Sequence, residues 1–218
     1  MDAEPTGTRD ALIQAAGELF ADHGLDGAST RAIAKKAKAN LAAVNYHFGS
    51  KENLYLETLR GVLGEKCNSW GEVMEQAHVL TREGVSVHDA LRQVIRDRLA
   101  DQLEGVYPLW HTKLMLRTLL EPSPVLKALT SERFAPEYQR IVGIARGWNP
   151  SLTEEEAELW ANSLYGQEIF YTLARAVLLE FEQWETYPGH YLDRVADHVA
   201  RVMTAALWPR QLRLEAEA

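Results

Sequence analysis

Between Gly27 and Lys51 the chain carries five cations, Arg31, Lys35, Lys36, Lys38 and Lys51, and no carboxylate. The whole chain has a net charge of −8, so without those five the remainder stands at −13. Positive charge gathered on one short stretch of an acidic chain suits contact with a polyanion through that face alone. The uncharged residues among the cations suit the grooves of a duplex. Ala42 and Ala43 are small enough to let a helix sit deep in a major groove, where a methyl group can touch thymine. The Asn45 carboxamide can pair with adenine there. Tyr46, His47 and Lys51 can bond phosphate oxygens. With Thr30, Arg31, Lys38 and Asn40 they make up the candidate DNA-contacting residues.

Two short helices must hold these groups. Ser29 or Thr30 can cap the first, whose Ile33, Ala34 and Ala37 form one apolar stripe. The chain turns through Lys38-Ala39-Asn40, and Asn40 can cap the second. That helix buries Leu41, Val44 and Phe48 at i, i+3, i+7 and leaves Ala42, Ala43, Asn45, Tyr46 and His47 free. Two helices joined by a tight turn are the layout of a helix-turn-helix. A preceding helix, Thr8–His23, places Leu12, Ile13, Ala16, Leu19 and Phe20 on one face and stops at Gly24. Residues 1–7 read as a frayed arm.

These residues resemble the N-terminal domain of the tetracycline-repressor-like (TetR) family of regulators. The likeness runs from about Thr8 to Leu59, through T-x-x-I-A at Thr30–Ala34 and Y-H-F-G-S-K-E-N-L from Tyr46. Lys38 departs from it, since the family places Gly in the turn. A Lys there must accept a left-handed backbone or reshape the turn. Asn45 departs as well, where many members have Tyr. The segment Leu116–Ala128, with its E-P-S-P break, and the stretch from Tyr165-Gly166-Gln167 to Arg175 resemble the CecR-like branch of the family.

The rest of the chain reads as all-α, with about nine helices in total. A fourth helix starts at Ser50 and is expected to run past Trp70, burying Leu54, Leu56, Leu59, Val62, Leu63, Cys67 and Trp70. Cys67, the single cysteine, reads as a buried hydrophobe. Further helices are predicted over 86–104, 107–120, 123–147, 153–182 and 189–207, separated by Gly and Pro breaks. Thr153 before three glutamates is a capped helix start. This gives an N-terminal three-helix helix-turn-helix domain, 1–50, and a C-terminal helical bundle, 51–218. In the last two long helices Trp160 and Leu164, and Val195, Val199 and Val202, follow helical spacing. They are the candidate dimer surface, through a four-helix bundle.

The resemblance implies a homodimer on a near-palindromic operator in double-stranded DNA, and an apolar cavity in residues 51–218 for a small hydrophobic or aromatic inducer. Trp70, Met74, Trp110, His111, Met115, Arg117, Tyr165, Gln167, Phe170, Tyr171 and Arg175 are the candidate ligand residues. An alternative is a DNA-binding regulator with no small-molecule ligand, and a second is a helical enzyme or interaction module. Against an enzyme, G-x-S-x-G, P-loop, G-x-G-x-x-G and H-E-x-x-H motifs are all lacking. No catalytic residue, metal ligand or cofactor is expected, because His78/His88 and His190/His198 miss the i, i+4 spacing of a helical metal site. The N-terminus lacks a signal peptide's basic and apolar regions, and no apolar run is long enough to span a bilayer. A cytoplasmic protein follows as the expectation.

Overall fold

The computed structural model describes residues 7–64, 69–103 and 108–208. Among the described residues the chain is all-α. The helices are α1 (Thr8–Gly27), α2 (Thr30–Lys36), α3 (Leu41–Phe48), α4 (Lys51–Gly64), α5 (Trp70–Arg82), α6 (Val87–Leu103), α7 (Leu109–Leu120), α8 (Pro124–Leu129), α9 (Ala135–Trp148), α10 (Glu154–Leu173), α11 (Arg175–Glu182) and α12 (Gly189–Leu207). A π-helical turn, Thr130–Phe134, joins α8 to α9. The readings of residues 1–6 as an arm, of Cys67 as a core residue and of Glu104-Gly105 as a break lie outside the described residues.

The chain packs as two units that do not follow the expected boundary at 50/51. The first comprises Met1–Cys67 together with Tyr107–Phe134, and the second comprises Asn68–Val106 with Ala135–Ala218. Helices α4, α7 and α8 therefore share a core with the helix-turn-helix. The reason is a buried seam running through that unit. Phe20 of α1 meets Tyr55 of α4 edge-on, with ring centroids 4.8 Å apart. Thr118 of α7 donates to the Leu114 carbonyl, which leaves its oxygen to accept the Tyr55 hydroxyl proton at 2.8 Å. Burial pushes the Tyr55 phenol above its ordinary pKa, so the donor stays protonated.

Helix α1 holds Leu12, Ala16 and Phe20 fully buried, at the i, i+4, i+8 positions of one face. Its helical geometry lapses at Gly24 (φ 73°, ψ 177°), the residue expected to stop it. Helix α4 differs from its expected course. It does not continue through Trp70: Ser69 is extended (φ −62°, ψ 156°), and a new helix starts at Trp70. Ser69 and Glu72 form a reciprocal capping box there, a local signal strong enough to start a helix where the apolar periodicity runs on.

In the second unit α5, α6, α9, α10 and α12 enclose a core that includes Met74, Leu91, Ile141, Leu164 and Met203. Thr153 caps α10 through a capping box with Glu156, as expected. The span 153–182 is two helices, meeting at Ala174 (φ −83°, ψ 2°). The expected dimer stripe is corrected here. Trp160, Leu164, Val195 and Val199 are buried within the protomer, and of the five residues only Val202 is exposed. The two stripes face one another inside the chain, where the Trp160 indole donates to the Met203 carbonyl at 2.8 Å. The large apolar residues left outside on these two helices are Leu159, Ile169, Phe170 and Leu173 on α10 and Val177 and Phe181 on α11.

Candidate nucleic-acid interface

The helix-turn-helix is fixed by local hydrogen bonds that its sequence encodes. The Ser29 hydroxyl accepts from the Ala32 amide at 3.1 Å and starts α2. After α2 the chain doubles back at Lys38, whose φ of 54° is left-handed, so the lysine accepts the conformation that a glycine would take freely. The Ala39 amide donates to the Ala34 carbonyl at 2.9 Å and closes the turn. The Asn40 side-chain oxygen then accepts from the Ala42 amide at 3.0 Å, which commits that oxygen to capping α3. At the other end Gly49 is left-handed (φ 74°), and the Asn53 side chain donates to the Phe48 carbonyl at 3.1 Å. Ser50 caps the next helix by accepting from the Asn53 amide.

The face left free has a clear composition. Arg31, Lys35, Lys38, Ala42, Asn45, Tyr46 and His47 are exposed, Tyr46 at 85%. Thr30, Ala43 and Lys51 are half-buried, and Ala43 packs onto the core of the unit. The Tyr46 ring meets the His47 ring edge-on at 5.0 Å, so the two aromatic groups stand together at the end of α3. Lys36 turns away and pairs with Glu18 of α1, which removes one of the five cations from the face. At the start of α4 an ionised Glu52 sits beside Lys51. Hydrogen bonds from its own backbone N–H and from Ser50 hold the Glu52 carboxyl below its ordinary pKa. A phosphate approaching there would rely on Lys51.

Leu41 differs from its expected place in the core. At 42% exposure it stands at the first position of α3 beside Ala42, adding an apolar contact to the free face. Spacing with Val44 and Phe48 hid this, because the first residue of a helix has no preceding turn to pack against.

The expected ligand residues divide between the two units. Trp110, His111, Met115 and Arg117 lie on α7 in the first. There Trp110 covers Gly17 of α1, where a Cβ would fall 2.2 Å from the ring. Arg117 is spent on α1 carbonyls and on Glu121. The other seven belong to the second unit. Trp70 and Met74 are buried, with the Arg98 guanidinium 4.8 Å from the Trp70 ring centroid. Tyr165 donates to Glu137, Phe170 is exposed, Tyr171 gives its carbonyl to the Tyr187 hydroxyl, and Gln167 and Arg175 are half-buried. An open cleft of about 430 Å³ between α5, α6 and α9 is lined by residues such as Glu75, Leu80, Asp97 and Arg140, and by none of the eleven. Among the described residues no cluster of three His, Cys, Asp or Glu could hold a metal ion. No described helix is long and apolar enough to cross a membrane.

A basic helix-turn-helix with a polar, exposed second helix, set on an all-α scaffold, defines the class of helix-turn-helix DNA-binding proteins. Known families agree. Residues 12–58 match the model for bacterial regulatory proteins of the tetR family, and residues 87–207 match the model for the C-terminal domain of the HTH-type transcriptional dual regulator CecR. The chain belongs to the TetR family of transcriptional regulators, with a C-terminal domain of the CecR type. It is 24% identical over 183 residues to CecR of Shigella flexneri, covering 81% of this chain and 80% of that one. It is 28% identical over 125 residues to the transcriptional repressor AcnR of Corynebacterium glutamicum, covering 57% of each. The crystal structure of the TetR-family regulator PfmR from Thermus thermophilus superposes with a TM-score of 0.60 at 19% identity, covering 91% of this chain and 96% of that one. These relatives are regulators, not enzymes.

The left-handed lysine is open to test. Lys38→Gly removes the strain of a side chain in that conformation and should raise stability by about 1 kcal/mol, read by denaturant unfolding. The same change removes an exposed cation. If Lys38 meets a phosphate, the slope of log affinity against log salt should fall by about 0.9.

Proposed function

We propose that the chain is a sequence-specific repressor that holds a near-palindromic operator as a homodimer and is released by a small hydrophobic or aromatic inducer. The observation that carries the DNA-binding part is the free face of α2 and α3: cations, amide and aromatic hydroxyl groups are exposed together, and local caps hold both helices. Residues 1–50 together with Lys51 read DNA, with Leu41, Ala42 and Asn45 at base edges and Thr30, Arg31, Lys38, Tyr46, His47 and Lys51 along the phosphates. Ala43, half-buried, sets how closely α3 can approach. Asn40 contributes by capping.

Within residues 51–218, the second unit binds the inducer and a second copy. The stripe of Leu159, Phe170, Leu173, Val177 and Phe181, with Val202, supports pairing of two protomers, since exposed apolar residues at helical spacing mark interaction surfaces. Two-fold symmetry would place the two α3 helices on successive major-groove turns, about 34 Å apart or a small multiple of that. The buried Trp70 and Met74 and the neighbouring Tyr165, whose ring centroid lies 6.4 Å from that of Trp70, support an aromatic-lined inducer site in the second unit. An inducer acts only through its different affinity for the DNA-bound and released states. Such a protein acts in the cytoplasm, where its operator lies.

Substitutions separate the roles. Tyr46→Phe and Lys51→Ala should weaken binding to every sequence, and each lost phosphate contact should lower the salt slope by about 0.9. Asn45→Ala should cost about 1–3 kcal/mol on the preferred sequence alone. Equal losses on preferred and random duplexes for Asn45→Ala would remove it from base reading. An apolar inducer at 100 times its Kd should raise unfolding free energy by about 2.7 kcal/mol and release the labelled operator. A chemically broad thermal-shift screen in which no compound does both would favour a regulator without a small-molecule ligand.

A further inference from the structure

Helices α1 and α4 are the two supports of the reading helices. Helix α1 is tied to α2 through the Glu18–Lys36 pair, and α4 is tied to the end of α3 through Asn53 and the Phe48 carbonyl. Helix α1 has no basic residue in its last turn, and the last described turn of α4 has none either. A helix C-terminus carries partial negative charge and carbonyls without intrahelical partners.

Both helices receive an arginine from one remote segment of the same unit. On α7, Arg117 donates through Nε to the Ala21 carbonyl and through Nη2 to the Asp22 carbonyl, each at 3.4 Å, just before the Gly24 break. Glu121 holds the guanidinium from the other side at 2.8 Å, and Lys113 pairs with Asp22 at 3.3 Å. Gly24 leaves room for this arrangement, since a Cβ there would stand 3.1 Å from Arg117 Nη1. In the π-helical turn, Arg133 Nη2 donates to the Leu63 carbonyl, in the last described turn of α4, at 2.8 Å. Its neighbour Glu132 grips Arg60 of α4 with contacts of 2.6 and 3.2 Å. The chain leaves the first unit directly after this turn, at Phe134.

We infer that Arg117 and Arg133 are positioning residues for operator recognition, clamping the C-terminal part of α1 and the last described turn of α4 so that α2 and α3 keep one orientation. The inference rests on the DNA-binding reading above. Base-edge hydrogen bonds are directional over a few tenths of an ångström, whereas phosphate attraction tolerates small rotations. Loosening the clamps therefore weakens specific binding and spares non-specific binding. Arg117, counted in the sequence among the ligand candidates, acts on the DNA side of the protein.

The test uses the full chain and a duplex that the wild type selects from a randomised library. Affinity for this duplex and for a random duplex is read by fluorescence anisotropy at several salt concentrations. Arg117→Met and Arg133→Met keep the apolar stem and remove the donors. Each should lower affinity for the selected duplex about tenfold, with random-duplex affinity and salt slope unchanged. Arg→Lys at either site should restore part of the loss, since a lysine keeps the charge but not the paired donors. Glu132→Gln, at an exposed position, should give a smaller loss of the same kind and covers the case in which a Met variant does not fold. Variants that melt earlier yet keep the ratio of selected to random affinity would make the clamps merely structural and overturn the inference. A wild type that selects no sequence would overturn the DNA-binding reading itself, a different and separable failure.

Discussion

The surface that α3 offers to solvent is set by what its other side buries. Val44 and Phe48 share one core with Phe20 of α1, Ile33 of α2 and Leu54 of α4, nearly all of it closed to water. With those positions occupied, Asn45, Tyr46 and His47 have nowhere to go but outward. Each large apolar side chain fully buried contributes about 1.5–3 kcal/mol relative to exposure, so rolling the helix about its axis would forfeit several of these contacts together. The direction of the reading face is a consequence of packing. Its chemistry is a consequence of which residues packing leaves over.

Electrostatics acts on this frame from two sides. Toward solvent, the stretch from Gly27 to Lys51 keeps its cations on a chain that is acidic elsewhere, which favours a polyanion over other partners. Within the unit, Lys36 is withdrawn to hold α1, and Arg9 is drawn over the Phe48 ring while it pairs with Glu57. Glu57 also holds Arg60, which reaches Glu132. Such exposed pairs contribute little individually. As a chain of charges from α1 through α4 to the π-helical turn, they help to set orientation.

What could be read in the sequence was whatever is encoded locally. Ser29, Asn40, Ser50 and Thr153 cap the helices that follow them, and Gly24 interrupts α1, because a cap or a glycine needs only its immediate neighbours. The left-handed backbone at Lys38 was one of two alternatives set by a turn that normally takes glycine. Long-range facts were not legible. Periodicity marks a buried stripe but not its partner, so Trp160 and Val199 read as an interface when they face each other's helices within one chain. The break before Trp70 was hidden by apolar spacing that runs on across it. The role of Arg117 depends on carbonyls 95 and 96 residues away, and no local pattern announces that.

The central claim is that the exposed face of α2 and α3 recognises a DNA sequence. It is tested most directly by fluorescence anisotropy of the unmodified protein on labelled DNA from immediately upstream of its own gene, against a scrambled duplex, at several salt concentrations. Preferential binding to the upstream duplex, with affinity falling steeply as salt rises, is the predicted result. No binding to either duplex even at low salt would contradict the account.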